Sequence, residues 1–490
     1  MQRLVKSFTV AASVLLLSGQ VLGFSLQGPL AEWMTPRLGY DLNAAHYGGP
    51  MVIGEEYRWN VPEIYYGFTP EFINFFGARG VAEVEKAFAT LNALPPASKA
   101  NPEAFPLTSQ RINHRAQALG ITDLRSHVLS LALEQMGLCD PTRYVFTLRN
   151  RWTTDIPTTN FFVIRRNYDP VTWLATSFIN GVLWTYPFVG DVSDSQSFVV
   201  TQPVDPLAYQ GYVNMPVAGG GGNLLSGGFW TGLTYDDIGG LRYLYRPNNY
   251  NVETFVPNIT GGFGGAWGAP PGIVTNGLAT NFVNTALRPG RDKLTFRRAD
   301  FDSLVGGFFA PITNSFTDTF ITNSTAFPQN MQRVLVAPDI LFHVADLQGG
   351  DSDDGIVRQS LEFQEWVYGN SPVEGEVGGG IVGGNLGPGV IGPGDEGPAF
   401  TVTLNGVGEL LLNVFPFDNM NEVSASRFLF WGSFDGSTNA PIVYPVGADI
   451  SEIEDIVLRR GTVGNAWGPP PGSEVDPGFG DTGGAGGTFP

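Results

Sequence analysis

The chain is short of the residues from which reactive centres are usually assembled. Cysteine occurs once, at Cys139, so no intrachain disulfide can form. A large exported chain can do without disulfides because its core is big enough. With no Cys-His motif around it, Cys139 reads as a buried spectator rather than a nucleophile. Histidine occurs four times, at His46, His114, His127 and His343, none closely paired. Charged residues make up only 15% of the chain, and acids outnumber bases 46 to 27. The resulting charge of −19 excludes nucleic-acid binding, which needs basic surface to displace counterions. It equally disfavours docking on anionic lipid. Beyond the N-terminus no apolar run is long enough for a membrane helix. There is no G-x-S-x-G elbow. Gly219–Gly222 lacks the lysine and the strand-to-helix setting of a phosphate loop.

What is present is glycine (64), proline (36) and aromatic residues over 490 positions, a mix that suits β-structure with many turns across two or three domains. Arg3 and Lys6 precede an apolar run from Phe8 to Leu17, and small Gly23 follows. This is the pattern of a secretory signal peptide over residues 1–23, cleaved after Gly23. The remainder divides by texture into an α+β domain at 24–250 with a β-rich insertion at about 141–214, a β-rich module at 251–370, a Gly-rich linker at 371–398, a small β module at 399–460 and a disordered Gly/Pro-rich tail at 461–490. The motif Ala-Trp-Gly-x-Pro-Pro-Gly occurs at 266–272 and 466–472. Two copies either cap equivalent ends of two modules or reflect composition alone.

Local signals place several elements. Tyr57–Tyr66 is rich in aromatic and β-branched residues and reads as a strand, with Pro62 marking an edge or bulge. Val81, Val84, Phe88 and Leu91 share one face of an amphipathic helix that ends at Leu94-Pro95-Pro96. Asp123–Asp140, DLRSHVLSLALEQMGLCD, reads as a second helix. Thr122 or Asp123 is its N-cap, Leu129, Ala132, Leu133 and Met136 form its apolar face, and Gly137 stops it. Asp123, His127, Ser130 and Glu134 form a polar stripe, expected to face solvent or a cleft. Short strands are expected at Asn160–Ile164 and Trp173–Phe178. Thr234 caps a third helix whose Asp236-Asp237 favour its positive end and whose Ile238, Leu241 and Tyr245 are buried.

Two segments resemble the matrixin branch of the metzincin zinc peptidases. The strand and helix at 57–91 look like that family's opening strand and first long helix. Leu233-Thr234-Tyr235-Asp236-Asp237-Ile238-Gly239-Gly240-Leu241, with Leu244-Tyr245, is similar to its closing helix, and Met215-Pro216 sits where its Met-turn would lie. The resemblance implies a fold with an α+β metzincin-like N-terminal domain followed by β-rich, sandwich-like modules and Gly/Pro-rich linkers. It also implies an H-E-x-x-H-x-x-G-x-x-H helix in between. Anchoring that motif on Gly137 puts Ser130 and Glu134 at the first two histidine positions, Leu131 at the general base and Asp140 at the third histidine. Leu131 cannot take a proton from water, so the metal-hydroxide route has no base. Two carboxylates and a hydroxyl suit calcium better than catalytic zinc.

Replacement zinc ligands would have to come from His114, His127 and Glu134. Asp351, Asp353 and Asp354 with Glu362 at the twelfth position resemble a calcium loop, although Gly355 and Ile356 disturb its middle. Trp230, Phe263, Trp267 and Trp467 lie in Gly-rich surroundings, where they serve either as packing plugs or as contact area for an extracellular protein or glycan. The expectation is a secreted or cell-surface, non-catalytic binding or structural protein, with no confident cofactor. The alternative is a secreted metal-dependent peptidase or hydrolase with a non-standard metal site. A subunit of an extracellular assembly is a third reading.

Overall fold

The computed structural model describes residues 22–28, 33–38, 40, 49–54, 56–153, 159–190, 197–205, 214–219, 224–255, 259–261, 283, 285–301, 309–344, 356–358, 400–404, 430–451 and 453–454. They form a mixed α+β fold with several β-sheets and few helices. Five of the α-helices matter here: α1 (Pro70–Asn92), α2 (His114–Leu119), α3 (Leu124–Gln135), α4 (Pro141–Tyr144) and α5 (Tyr235–Tyr245). Among the described residues no helix is long and apolar enough to cross a membrane.

The sheet nearest the core has the strand order Thr295–Arg298, Glu63–Phe68, Ile340–Val344, Phe400–Leu404, Ile356–Arg358. The first four run parallel and the last is antiparallel. Strand Glu63–Phe68 begins directly after Pro62, whose missing N–H a central ladder could not accommodate. The helix α1 then packs on this sheet through aromatic rings. Phe88 stacks on Tyr66 at 4.2 Å and on Phe296 at 4.8 Å, while Phe72 meets Phe68 at 5.0 Å. Val81, Val84, Phe88 and Leu91 are buried, as their spacing predicts. The helix kinks at Gly77 (φ 62°), where a Cβ would come within 2.5 Å of Val446. Glycine is needed there for both reasons.

A second, antiparallel sheet has the order Tyr250–Thr254, Thr285–Pro289, Ile312–Thr322, Thr325–Leu335, Ile259–Gly261. Its long hairpin turns at Asn323-Ser324, both with positive φ, as a two-residue hairpin loop requires. A buried ionic network ties this sheet to the first. Arg58 pairs with Glu253, and Arg288 and Arg291 both pair with Asp318 at 3.0 Å. Arg58 also donates to the carbonyls of Leu244, Asn249 and Arg288. Nearby, Arg333 pairs with Asp339, whose other bond is to the Tyr65 N–H at 2.8 Å.

These pairings cross the boundaries expected from composition. Strands at 295–298, 340–344 and 400–404 complete the sheet begun at 63–68, and Phe430–Ser433 pairs in parallel with Ile121–Asp123, directly ahead of α3. Segments expected as a β-rich module and a small β module therefore share sheets with the first 250 residues. Parallel pairing is the physical reason: it joins strands far apart in sequence and leaves no turn signature between them. Within the insertion, Trp173–Phe178 is mostly irregular rather than a strand, with Ala175 in an isolated bridge to Tyr168. Trp173 has φ 58° and only Phe178–Ile179 pairs as a strand. The expected linker at 371–398, the tail at 461–490 and both copies of the repeated motif lie outside the described residues.

Removing one member of the buried network should be costly. Glu253→Gln leaves the Arg58 guanidinium without its counter-charge and is expected to lower unfolding stability by about 3–5 kcal/mol. Glu454→Gln breaks the half-exposed pair with Arg115 and should change it by less than about 1 kcal/mol. Urea midpoints at unchanged slope report both, and equal effects would remove the network's structural role.

Candidate functional site

The centre of the molecule is α3. Asp123 caps its N-terminus: one carboxylate oxygen accepts from the Ser126 N–H at 2.9 Å and the Ser126 hydroxyl at 2.6 Å. The same hydroxyl accepts the Trp230 N–H at 2.8 Å, which seats the strand Gly228–Trp230 against the helix. At the other end, carbonyls that a helix leaves without partners are taken by side chains. Trp59 Nε1 donates to Gln135 O at 2.8 Å and the Tyr245 hydroxyl donates to Met136 O at 2.7 Å. Gly137 then turns the chain with φ 99°, and a Cβ on it would sit 2.0 Å from Tyr57 O. The segment Tyr57–Trp59 ahead of the first strand, the end of α3 and the end of α5 thus converge on one glycine.

A further contact ties in the turn that follows Met215. Asp237, on the first turn of α5, accepts the N–H groups of Val217 at 3.0 Å and Ala218 at 2.9 Å while completing a capping box with Thr234. Gly219 lies on Asp140, so closely that a Cβ would approach its Cα to 2.3 Å. Met215 is buried. Asp236 accepts from the N–H groups of Gly23 and Asn180. The two acids that sequence reasoning assigned to the helix dipole therefore act mainly as clasps for loops.

The positions matching the zinc motif are distributed as follows. Ser130 and Leu131 are buried, Glu134 is half-buried, Gly137 makes the turn, and Asp140 caps α4 by accepting from the Thr142 N–H and hydroxyl. The expectation of a solvated or cleft-facing polar stripe is corrected for three of its four members: Asp123, His127 and Ser130 are each at most 6% exposed, and only Glu134 stays half-buried. The polar side is covered by the Gly228–Trp230 strand and by Phe430–Ser433, whose Trp431 meets the His127 ring edge-on at 5.1 Å. Sequence periodicity could not have found Trp431.

The replacement ligand set is corrected too. His114 is exposed at the start of α2 while His127 is enclosed beside Trp431, and no group of three His, Cys, Asp or Glu among the described residues could hold a metal ion. Trp230, read as either a packing plug or contact area, is 1% exposed and packs in the core. Phe263, Trp267 and Trp467 lie outside the described residues, as do Asp351, Asp353, Asp354 and Glu362. Burial pushes the Cys139 thiol up, as befits a spectator. A shallow apolar cleft is walled by Leu91, Leu94, Met136, Leu241, Tyr245 and Phe296, and by none of Ser130, Glu134 or Asp140.

Two titratable groups on α3 are displaced in opposite senses. Burial pushes Asp123 up to about 6, against the donors from Ser126 and Phe434. Burial drops His127 to about 4, and its Nδ1 has no partner among the described residues. No family model, curated protein or solved structure matches the chain, so the site is read from its own residues.

The opposed shifts make a pH prediction. Between about pH 4 and 6 the folded protein holds a proton on Asp123 that the unfolded chain has released, so this group makes stability fall as pH rises. His127 does the reverse: the unfolded chain binds a proton that the folded one does not, so stability falls as pH drops. Each slope reaches about 1.4 kcal/mol per pH unit, and they oppose each other. Relative to the natural chain, His127→Gln should lose stability as pH rises from 4 to 6, and Asp123→Asn should lose it as pH falls across the same window. Urea titrations at several pH values measure both, and slopes of the same sign in the two variants would refute the assignment.

Proposed function

We propose that this is an exported, non-catalytic binding or structural protein, built on a scaffold resembling a metzincin peptidase whose metal site has been replaced by packing. The observation that carries the reading is the junction at Gly137. The segment at Tyr57–Trp59, the end of α3 and the end of α5 meet at Gly137 or its neighbours, and the turn after Met215 lies on Asp140, three residues further on. They are the segments that carry the resemblance. At the positions where ligands and base would stand, the chain has Ser130, Leu131, Glu134 and Asp140. Leu131 is apolar and 5% exposed, which gives no route for a water to be activated there.

Export is inferred from the leader pattern at 1–23. Mass spectrometry of the exported chain should show Phe24 as its first residue.

The scaffold reading is tested by restoring ligands. Ser130→His, Glu134→His and Asp140→His, made together, should take up one equivalent of zinc, measured by elemental analysis after dialysis. The natural chain should take up none and leave a quenched casein substrate intact. Stoichiometric zinc in the natural chain, abolished by Glu134→Gln, would instead establish the metal-dependent hydrolase. A folded triple variant that ignores zinc would mean that the resemblance does not extend to the geometry of the site.

A further inference from the structure

A second feature lies well away from α3. The strands Thr147–Thr153 and Thr159–Ile164 form a hairpin that pairs with no third strand among the described residues. Such hairpins are marginal alone. This one is held on one side, where Thr147–Thr153 packs against the turn Pro36–Leu38 and the strand Ser197–Val199. The register sets what its free face shows. Asn150 lies opposite Phe162, and Trp152 lies opposite Asn160. Residues directly across an antiparallel pair share a face, as do residues two apart along a strand. One face therefore carries a checkerboard of two rings and two amides. Trp152 is 46% exposed and Phe162 52%.

The same segment reverses the charge of the chain. Between residues 141 and 168 there are five arginines and one acid, in a protein of net charge −19. Arg149 stands at the bulge between Leu148 and Asn150 and stacks over Trp33 at 4.4 Å. Its guanidinium is held below the usual arginine range, first by burial and then by the like charge of Arg166. Arg165 and Arg166 directly follow the second strand. Among the described residues none of Arg149, Arg165 and Arg166 forms an ion pair. Unneutralised like charges beside exposed rings invite an anion.

We infer that the free face of the 147–164 hairpin, with Arg149, Arg165 and Arg166 at its base, is a docking platform for an acidic polysaccharide. Rings pack against the C–H faces of sugar rings, amides exchange hydrogen bonds with hydroxyls, and guanidiniums pair with carboxylates. A protein partner would favour a continuous apolar anchor set in a pocket. The alternation of ring and amide on an open face fits a polyhydroxylated chain better. The inference names the partner class for the binding role proposed above and rests on that reading, while using no residue of α3.

Native electrophoresis of the full chain through gels containing alginate, a polyuronate, with matched dextran gels, tests it. Alginate should retard the natural chain and dextran should not. Trp152→Ala and Phe162→Ala should each weaken retardation about tenfold, with circular dichroism unchanged. Arg165→Gln with Arg166→Gln should weaken it similarly and flatten its dependence on salt. No retardation by alginate, equal retardation by dextran, or retention of full binding by Trp152→Ala would each overturn the proposal. Self-association in sedimentation that Trp152→Ala abolishes, with alginate inert, would overturn it in favour of a second copy of this chain. An export-competent, zinc-free protein that ignores alginate would leave the non-catalytic reading standing and remove only this site.

Discussion

The interaction on which the rest of the structure depends is the buried cluster of Arg58, Glu253, Arg288, Asp318 and Arg291. Moving such charges out of water costs several kcal/mol per ion, and only dense, well-directed partners offset it. Here the partners are present. Arg58 serves one carboxylate and three carbonyls, and Asp318 takes bonds from two arginines and the Gln329 amide. Arg58 comes from the segment leading into the first sheet, Leu244 from the end of α5, Glu253, Arg288, Asp318 and Gln329 from the second sheet, and Asn249 and Arg291 from segments flanking its strands. None of these segments can leave without exposing an unpaired charge in the interior. The cluster therefore compels regions far apart in sequence to fold as one body, where composition alone invites a division into modules.

That constraint explains the state of α3. Its C-terminal carbonyls are satisfied by Trp59 and Tyr245, residues next to Arg58 and Leu244 in the chain. The network fixes the positions of these two donors, and they fix the end of the helix. With its N-terminus clasped by Asp123 and most of its polar side covered by Trp230 and Trp431, the helix leaves only Arg125 and Glu134 partly exposed. A catalytic metal centre needs at least one position open to water or substrate. The turn carrying Gly219 lies directly on Asp140, and Leu131 is packed where a base would have to meet solvent.

Much of the local structure was legible in the sequence. The face of α1, the cap at Thr234 and the turn at Gly137 all follow from short-range periodicity and turn chemistry, which act over one or two helical turns, whereas the strand expected over Tyr57–Tyr66 with Pro62 at an edge or bulge runs only from Glu63 to Phe68 and has a neighbour on each side. Three things were not legible. The polar stripe on α3 announces a side unlike the apolar one, but periodicity does not say what covers it, and a strand from residues 430–433 supplies the cover. The parallel sheet brings 295–298, 340–344 and 400–404 to 63–68 without any local mark. Trp173 reads as part of a strand by composition, yet Asp169 accepts from the N–H groups of Val171 and Thr172 and bends the segment into a turn. In each case a long-range contact or a side-chain clasp outweighed local preference.

The distribution of charge completes the picture. A chain this acidic repels itself and most polyanions at long range, but beyond a Debye length of about 8 Å in physiological salt that repulsion is largely screened. At contact distance the local set of groups decides, and around the 147–164 hairpin that set is basic and aromatic. Helix α3 offers little surface, since only Arg125 and Glu134 on it are partly exposed. The hairpin is anchored at its base and free on one face, and its rings and amides are fixed by register rather than by a ligand. Such prior ordering lowers the entropic cost of binding. The architecture thus separates two tasks: a sealed interior, held by buried ion pairs and helix clasps, carries stability, and a peripheral hairpin left outside the ionic network is where contact with another molecule can occur without disturbing it.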